Sequence, residues 1–530
     1  MTWFSLPIVQ ADNKAAFSDA AGATAWLTQQ PQANVAAMQA ELTRQIQALN
    51  TCRMAPLERF KTLEALRKTL FTVDGECHKR FENRPIPLWS SEQVALDTSR
   101  CLWRACALAY LHCLRACLDG DQSLTEIKAK IAHRAMVCLR MEQQTCYLGS
   151  LDVDSEFWRN VHAILASTEQ LGVSRQPVTD RLLGETAEST VNGQYVMALL
   201  LHLARPFELS RTQLAAATRW FARWREQAEI LSIPDDNPKS TSITLDLSLG
   251  SPTFDANGTP GIPRWLSTGS ILRKMRKRLE LLEAGESPES LKLGSGISSE
   301  SSITLLKTLT DNLKHPLPLL ASPLPGSQTA KVGAGMEIIH RQLGGKSLKA
   351  PEEPTSMNRQ TQDQIAIFGR IPHEVEEKNA VKPEDWQITE SSASEIRLSR
   401  PAGAGKARLN NRCLLSIQAP DHSRPFLAVL SSLCTHGDGT LHATARILPG
   451  DPTPLVAEVR ERPMGKMTRQ PAFLLPANGV LGTPKSIFLP AGISTRALSI
   501  NLLQDRSVTL RLGSLLERGS DYECWIYETT

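Results

Sequence analysis

Apolar residues recur at three- and four-residue steps through the first 230 positions, the period of a helix with one buried face. Val35, Met38, Leu42, Ile46 and Leu49 predict one amphipathic helix, and Leu57, Phe60, Leu63, Leu66 and Leu70 predict a second behind Pro56 in its first turn. A third apolar stretch opens at Ser91-Glu92 and closes at Asp119-Gly120, and Ser123 with Glu126 has capping-box spacing ahead of a fourth stretch to Cys146. Phe157 to Leu171 ends at Gly172, Gln194 to Ala204 stops at Pro206, and Ser210 opens a helix carrying Trp220, Phe221 and Trp224. About seven helices are expected by residue 231.

The period then changes. Ile243 to Leu249 alternates apolar and polar side chains between turn-forming residues, which predicts a strand, and helical spacing returns at Ser270–Leu282 and Ser302–Leu313. Prolines from Pro316 to Pro354, with Gly326, Gly333, Gly335, Gly344 and Gly345 among them, predict a linker. Beyond it, short strand-like runs separated by turns continue to the C-terminus, from WQI at 386 to DYECWIYE at 521, as in a small barrel or a pair of barrels. The fold class is therefore α+β. An all-helical domain spans 1–235, a strand-containing and helical extension 236–315, a Pro/Gly-rich linker 316–360, and a β-barrel region 361–530.

The 530 residues exceed what one core usually organises, and 41% hydrophobic with 22% charged residues excludes wholesale disorder and a membrane bundle. A formal charge of +4 excludes a nucleic-acid-coating role, so any anion site must be local. The eleven cysteines are odd in number and concentrated in apolar helical sequence, which predicts buried thiols. The N-terminus lacks a cationic signal region and the apolar run Tyr195–Ala204 is about half the ~20 residues of a bilayer span, so a cytoplasmic protein without a membrane span is expected.

Gly403-Ala-Gly405-Lys406 is glycine-rich, but Arg400 and Ala407 stand where a phosphate loop needs Gly and Ser/Thr, so a hairpin turn is expected. Cys106, Cys113 and Cys117, with His112, could look like zinc ligands, but the three cysteines share a helix face with Leu and Ala and there is no CxxC pair, which reads as packing. His436 and Asp438 have no partner nucleophile and read as a turn. Arg273, Lys274, Arg276, Lys277 and Arg278 form the densest basic cluster, on a helix whose following glutamates dilute the field; a solvated face is expected, with an anionic partner as the alternative.

At Trp386-Gln-Ile-Thr-Glu390-Ser-Ser392-Ala-Ser-Glu395-Ile-Arg-Leu398 the sequence resembles the opening of a PilZ domain, a W-x-I/L strand leading into a D-x-S-x-x-G turn and a second strand. More widely, the segments NGQYVMALLLHLARPFELS, LRKMRKRLELLEAGESPESLKLG and the closing SIFLPAG and VTLRLGSLLERGSDYECWIYE strands resemble large proteobacterial proteins with a helical N-terminal region and a PilZ-like C-terminal one. That resemblance implies cyclic di-GMP signalling, in which PilZ domains hold the dinucleotide with an RxxxR arginine pair and the D/N-x-S-x-x-G turn. Here Glu390 replaces the Asp or Asn and Glu395 the Gly, and the residues four after Arg341, Arg359 and Arg370 are Gly345, Asp363 and Glu374, leaving Ser392 as the matching position.

The expectation is therefore a non-enzymatic adaptor with a degenerate PilZ-like region, binding protein partners in a cyclic di-GMP-related pathway such as motility, pili or exopolysaccharide, with no resident cofactor, metal or catalytic residue and no nucleic-acid partner. The alternative is a cyclic di-GMP receptor with a non-standard site, for which Ser392, Arg397, Arg400, Lys406, Arg408 and Arg412 are the candidates.

Overall fold

A computed structural model describes residues 4–10, 15–30, 33–234, 241–252, 260–316, 328–348, 382–460, 467–493, 499–503 and 507–529. They form two compact units, Met1–Arg84 with Leu88–Leu320, and Pro85–Pro87 with Ala321–Thr530.

The first unit is built from α1 (Ala20–Gln29), α2 (Val35–Thr51), α3 (Pro56–His78), α4 (Ser90–Leu118), α5 (Lys128–Leu148), α6 (Ser155–Gln170), α7 (Val191–Leu203), α8 (Arg211–Trp224), α9 (Gly269–Glu283) and α10 (Ser299–Lys314). Periodicity located α2 to α8; α1 escaped it because its ten residues bury only Ala23. Ser210 closes a capping box with Gln213 at the start of α8. The box expected at Ser123 and Glu126 does not form. Asp121 instead accepts from the Ser123 backbone N–H and hydroxyl, and Gln122–Ile127 is a 3-10 turn ahead of α5.

α4 is long and apolar enough to cross a bilayer, yet most of its apolar window is buried inside the unit, where it packs along α5. Cys106 and Cys113 are core residues of α4, and Cys113 Sγ donates to the Pro56 and Ala109 carbonyls. Burial holds His112 near a pKa of about 4.

The 236–315 extension packs into the helical core. Strands β1 (Val178–Thr179) and β2 (Glu188–Ser189) form a small hairpin, while β3 (Glu229–Leu231), β4 (Ser242–Asp246) and β5 (Pro263–Ser267) form a sheet in the order β3-β5-β4. Ile243, Leu245, Leu266, Ile271, Leu306 and Leu309 join the same apolar core as α2 to α8. A three-stranded sheet and two helices have too little surface to bury these side chains alone.

The second unit holds two closed six-stranded barrels. The first is β6 (Thr329–Ala334), β7 (Glu384–Ser391), β8 (Glu395–Pro401), β9 (Leu414–Gln418), β10 (Phe426–Thr435) and β11 (Thr440–Ile447), closed in the order β10-β11-β8-β7-β6-β9. The second is β12 (Thr453–Arg460), β13 (Met467–Leu475), β14 (Ser486–Pro490), β15 (Ser499–Leu503), β16 (Ser507–Arg518) and β17 (Tyr522–Thr529), in the order β12-β13-β14-β17-β16-β15. Leu414, Leu427 and Val429 of one barrel share a core with Phe473, Phe488 and Tyr522 of the other.

Within the 316–360 stretch expected as linker lie β6 and α11 (Met336–Gln342). β6 pairs with β7 and β9 and closes the first barrel, while α11 packs Met336 and Ile339 into the shared core. Closure abolishes the free edges that β7 and β9 would otherwise present.

Candidate functional site

β7 and β8 form a hairpin whose turn is tied by Ser392. Its Oγ accepts from the Glu395 N–H at 3.0 Å, and its backbone N–H donates to the Glu395 carbonyl at 2.8 Å. One turn carries both the match to the resembled motif and the glutamates that depart from it. Glu390 is not left facing solvent alone, because Arg397 lies opposite it in the β7–β8 register and pairs with it.

Arg400 is at the other end of β8, about five strand residues or roughly 16 Å from the Ser392 turn. Only 2% exposed, it lies over the Trp386 ring at 4.8 Å, pairs with Glu384 at 3.2 Å, and donates to the carbonyls of Pro401, Ala402 and Ala407. Burial lowers its pKa and the Glu384 carboxylate opposes that. Lys406 contributes its backbone rather than its side chain: the Lys406 and Ala407 N–H groups donate to Glu384 Oε1 at 2.5 and 2.7 Å. A Cβ on Gly405 would fall 2.3 Å from Glu384, so glycine is what lets the loop close around this carboxylate.

The Gly403–Lys406 segment was expected to be a hairpin turn, and the structure corrects this. It is a 3-10 turn and loop connecting β8 to β9, strands that are not neighbours in the barrel. The loop does bind an anion, but the anion is the protein's own Glu384. Arg408 donates through Nε and Nη2 to the Pro85 carbonyl, beside the backbone pairing of Ile86 with Leu409. Arg412, at φ +62°, reaches Glu517 at 3.7 Å, which Arg446 also holds at 2.6 Å. The six candidates therefore do not form one site: Ser392 closes one turn, Arg397 is spent on Glu390, Arg400 and the Lys406 N–H both hold Glu384, Arg408 binds the Pro85 carbonyl, and Arg412 reaches Glu517.

An open cavity of about 480 Å³ lies at the Ser392 end of the first barrel. Its apolar wall is Ile388, Ile396, Phe426 and Leu448, and its polar rim is Ser391, Ser392, Asp421, His422 and Asp451. Asp421 sits 3.3 Å from His422 Nδ1, which holds its carboxyl below the usual range, and the His422 ring is 5.1 Å from Phe426. Sequence reasoning did not single out Asp421, His422 or Phe426. Their only signal was turn chemistry in Pro420-Asp421-His422-Ser423-Arg424-Pro425.

His436-Gly-Asp438 is the β10–β11 turn, in which the Asp438 carboxylate accepts from the Thr440 N–H and the His436 and His442 rings stack at 4.0 Å. On α9, Lys274 and Arg278 lie over the Trp224 ring at 6.0 and 5.2 Å, while Arg273, Arg276 and Lys277 face outward.

Residues 20–235 match the family model described as the N-terminal domain of the cyclic-di-GMP receptor FimW. A curated relative, the cyclic-di-GMP receptor FimW of Pseudomonas aeruginosa, is 22% identical over 387 residues. That alignment covers 68% of this chain, and the chain spans 59% of the relative's length. No solved structure matches. Both matches are to a cyclic di-GMP receptor, and the family model falls on the helical unit, which also holds the NGQYVMALLLHLARPFELS segment on which the resemblance rested in part.

Proposed function

We propose that this chain is a cytoplasmic cyclic di-GMP receptor in which the dinucleotide's base, rather than its phosphates, is recognised at the first barrel. The observation that carries the reading is the cavity beside Ser392, whose volume lies within the ~300–1,000 Å³ usual for small-molecule sites. A guanine presents adjacent N–H donors on one edge. The Asp421 carboxylate is the complementary acceptor, and His422 and Phe426 offer ring faces. The receptor role named for the curated relative supports binding rather than catalysis.

The test is calorimetric titration of cyclic di-GMP, with cyclic di-AMP as control, into the wild-type protein and Asp421→Ala. Loss of a charge-assisted pair of about 1.5–3 kcal/mol weakens binding at least about tenfold. Unchanged affinity in Asp421→Ala, with loss in Arg408→Ala, would move the site to the arginines.

A second reading, an adaptor that binds a protein partner without nucleotide, is favoured by the internal engagement of Arg397, Arg400 and Arg408. Absence of any heat of cyclic di-GMP binding, together with nucleotide-independent capture of a defined partner, would select it.

A further inference from the structure

The helical unit holds a buried arginine that its own side chains do not neutralise. Arg140 of α5 is 7% exposed, and among the described residues its Nε and Nη1 have no hydrogen-bond partner, while its Nη2 reaches the Met141 sulfur at 3.5 Å. A buried guanidinium without acceptors is among the costliest arrangements a core can contain.

Its surroundings are cationic. α5 and α7 run in step: His133 meets Ser189, which also takes the Gln194 amide at 3.0 Å, Gln143 reaches the Ala198 carbonyl, and Tyr147 reaches His202. Arg140 lies between the levels of Gln194 and Ala198, where Met197 stands. The Met197 sulfur is contacted by Arg225, itself 2% exposed. His133 and Arg140 are seven residues apart and so share a face of α5. Nearby, Asp180 is already taken by Arg67 at 2.7 Å and Arg134 at 2.8 Å, Glu64 by Arg134 and Lys130, and the half-exposed Glu226 by Arg225 at 3.5 Å, whose Nη2 also donates to the Glu188 carbonyl. Repulsion from Arg225 adds to burial in lowering the Arg140 pKa to about 10, so the group remains charged at neutral pH.

We propose that Arg140, with Arg225 beside it, is an oxoanion site inside the helical unit, taking a single phosphate or phosphoryl group between α5 and α7. The guanidinium plane presents two adjacent N–H vectors, the geometry that meets two phosphate oxygens at once. Neither the barrel cavity nor the internal Glu384 contact bears on this site, so it stands or falls independently of them.

The experiment measures the melting temperature of the full chain against inorganic phosphate in Tris chloride at constant ionic strength, with equilibrium dialysis of radiolabelled phosphate for stoichiometry. Wild type is expected to bind one phosphate per chain and to show a saturable rise in melting temperature, following the logarithmic dependence on ligand over Kd. Arg140→Met removes the charge at similar volume; its phosphate midpoint should move upward by about tenfold or more. Without phosphate it should melt no lower than wild type, because an unpaired buried charge has been replaced by an apolar side chain. Arg140→Lys, a point charge without the fork, should fall between the two. Cyclic di-GMP in the same series separates the sources: a shift lost in Arg140→Met identifies a nucleotide phosphate as the occupant, whereas one retained there and lost in Asp421→Ala leaves this site to free phosphate. The proposal is overturned if wild type binds no phosphate, or if Arg140→Met binds it as wild type does.

Discussion

At the scale of single residues, the surprise of the barrel is that its cations are matched by carboxylates remote in sequence. Arg400 and Glu384 are 16 residues apart, and no local pattern announces that they meet over Trp386. Charge counting therefore selected Arg397, Arg400, Lys406, Arg408 and Arg412 correctly as a cluster in sequence and incorrectly as one surface. Glu384→Gln should destabilise the second unit by about 3 kcal/mol, since it leaves the Arg400 charge buried with one fewer acceptor and weakens the contact to the Lys406 and Ala407 N–H groups. Ser392→Ala, which removes an exposed turn contact, should cost about 1 kcal/mol or less. Urea unfolding of both variants distinguishes these values, and equal costs would contradict the assignment of Glu384 as an internal counter-ion.

At the scale of elements, long periodic segments were legible and short ones were not. The helices α2 to α8 and the strands β7 to β17 follow from period and turn residues, because each offers a recurring apolar face. β6 did not stand out: Thr329-Ala-Lys-Val-Gly-Ala334 is short, small and embedded among prolines and glycines, and its role becomes visible only when β7 and β9 need a partner. Its inward residues are Ala330 and Val332, with Lys331 outside. Val332→Asp should therefore cost about 3 kcal/mol or more and loosen the barrel toward edge-to-edge association, visible as higher oligomers on gel filtration. Lys331→Asp, one position along, should stay within about 0.5 kcal/mol and remain in the wild-type state. Similar behaviour of the two would mean that β6 is not the closing strand. The cavity at the Ser392 end was illegible for a related reason, since its walls come from three connections brought together only by barrel closure.

At the scale of the whole molecule, the two units differ in how they store titratable groups, and that sets their response to acid. In the helical unit burial keeps His112 and His202 at a pKa of about 4 and His133 at about 3, against an unfolded value near 6.5. These folded values are depressed, so the unfolded chain binds more protons below pH 6.5 and stability falls as pH falls, by up to about 3 kcal/mol per histidine between pH 7 and pH 4. Glu142 runs the other way, because burial raises it to about 7 despite Arg104, and its protonation offsets roughly one histidine. In the second unit the balance is closer: His442, depressed to about 4, destabilises on acidification, while Asp521, raised by burial to about 6, binds its proton more tightly folded than unfolded and stabilises as pH falls from 6 toward 4. Lowering the pH from 7 to 4.5 should thus cost the helical unit several kcal/mol and the barrels little. Urea titrations at the two pH values, followed by the helical circular-dichroism signal and by proteolysis of the separated fragments, should show the helical transition moving to lower urea while barrel fragments persist. His133→Gln keeps a hydrogen-bonding partner for Ser189 without a titrating ring, and should flatten that pH dependence by about a half. If the barrels unfold first, buried histidine does not govern the acid stability of this protein.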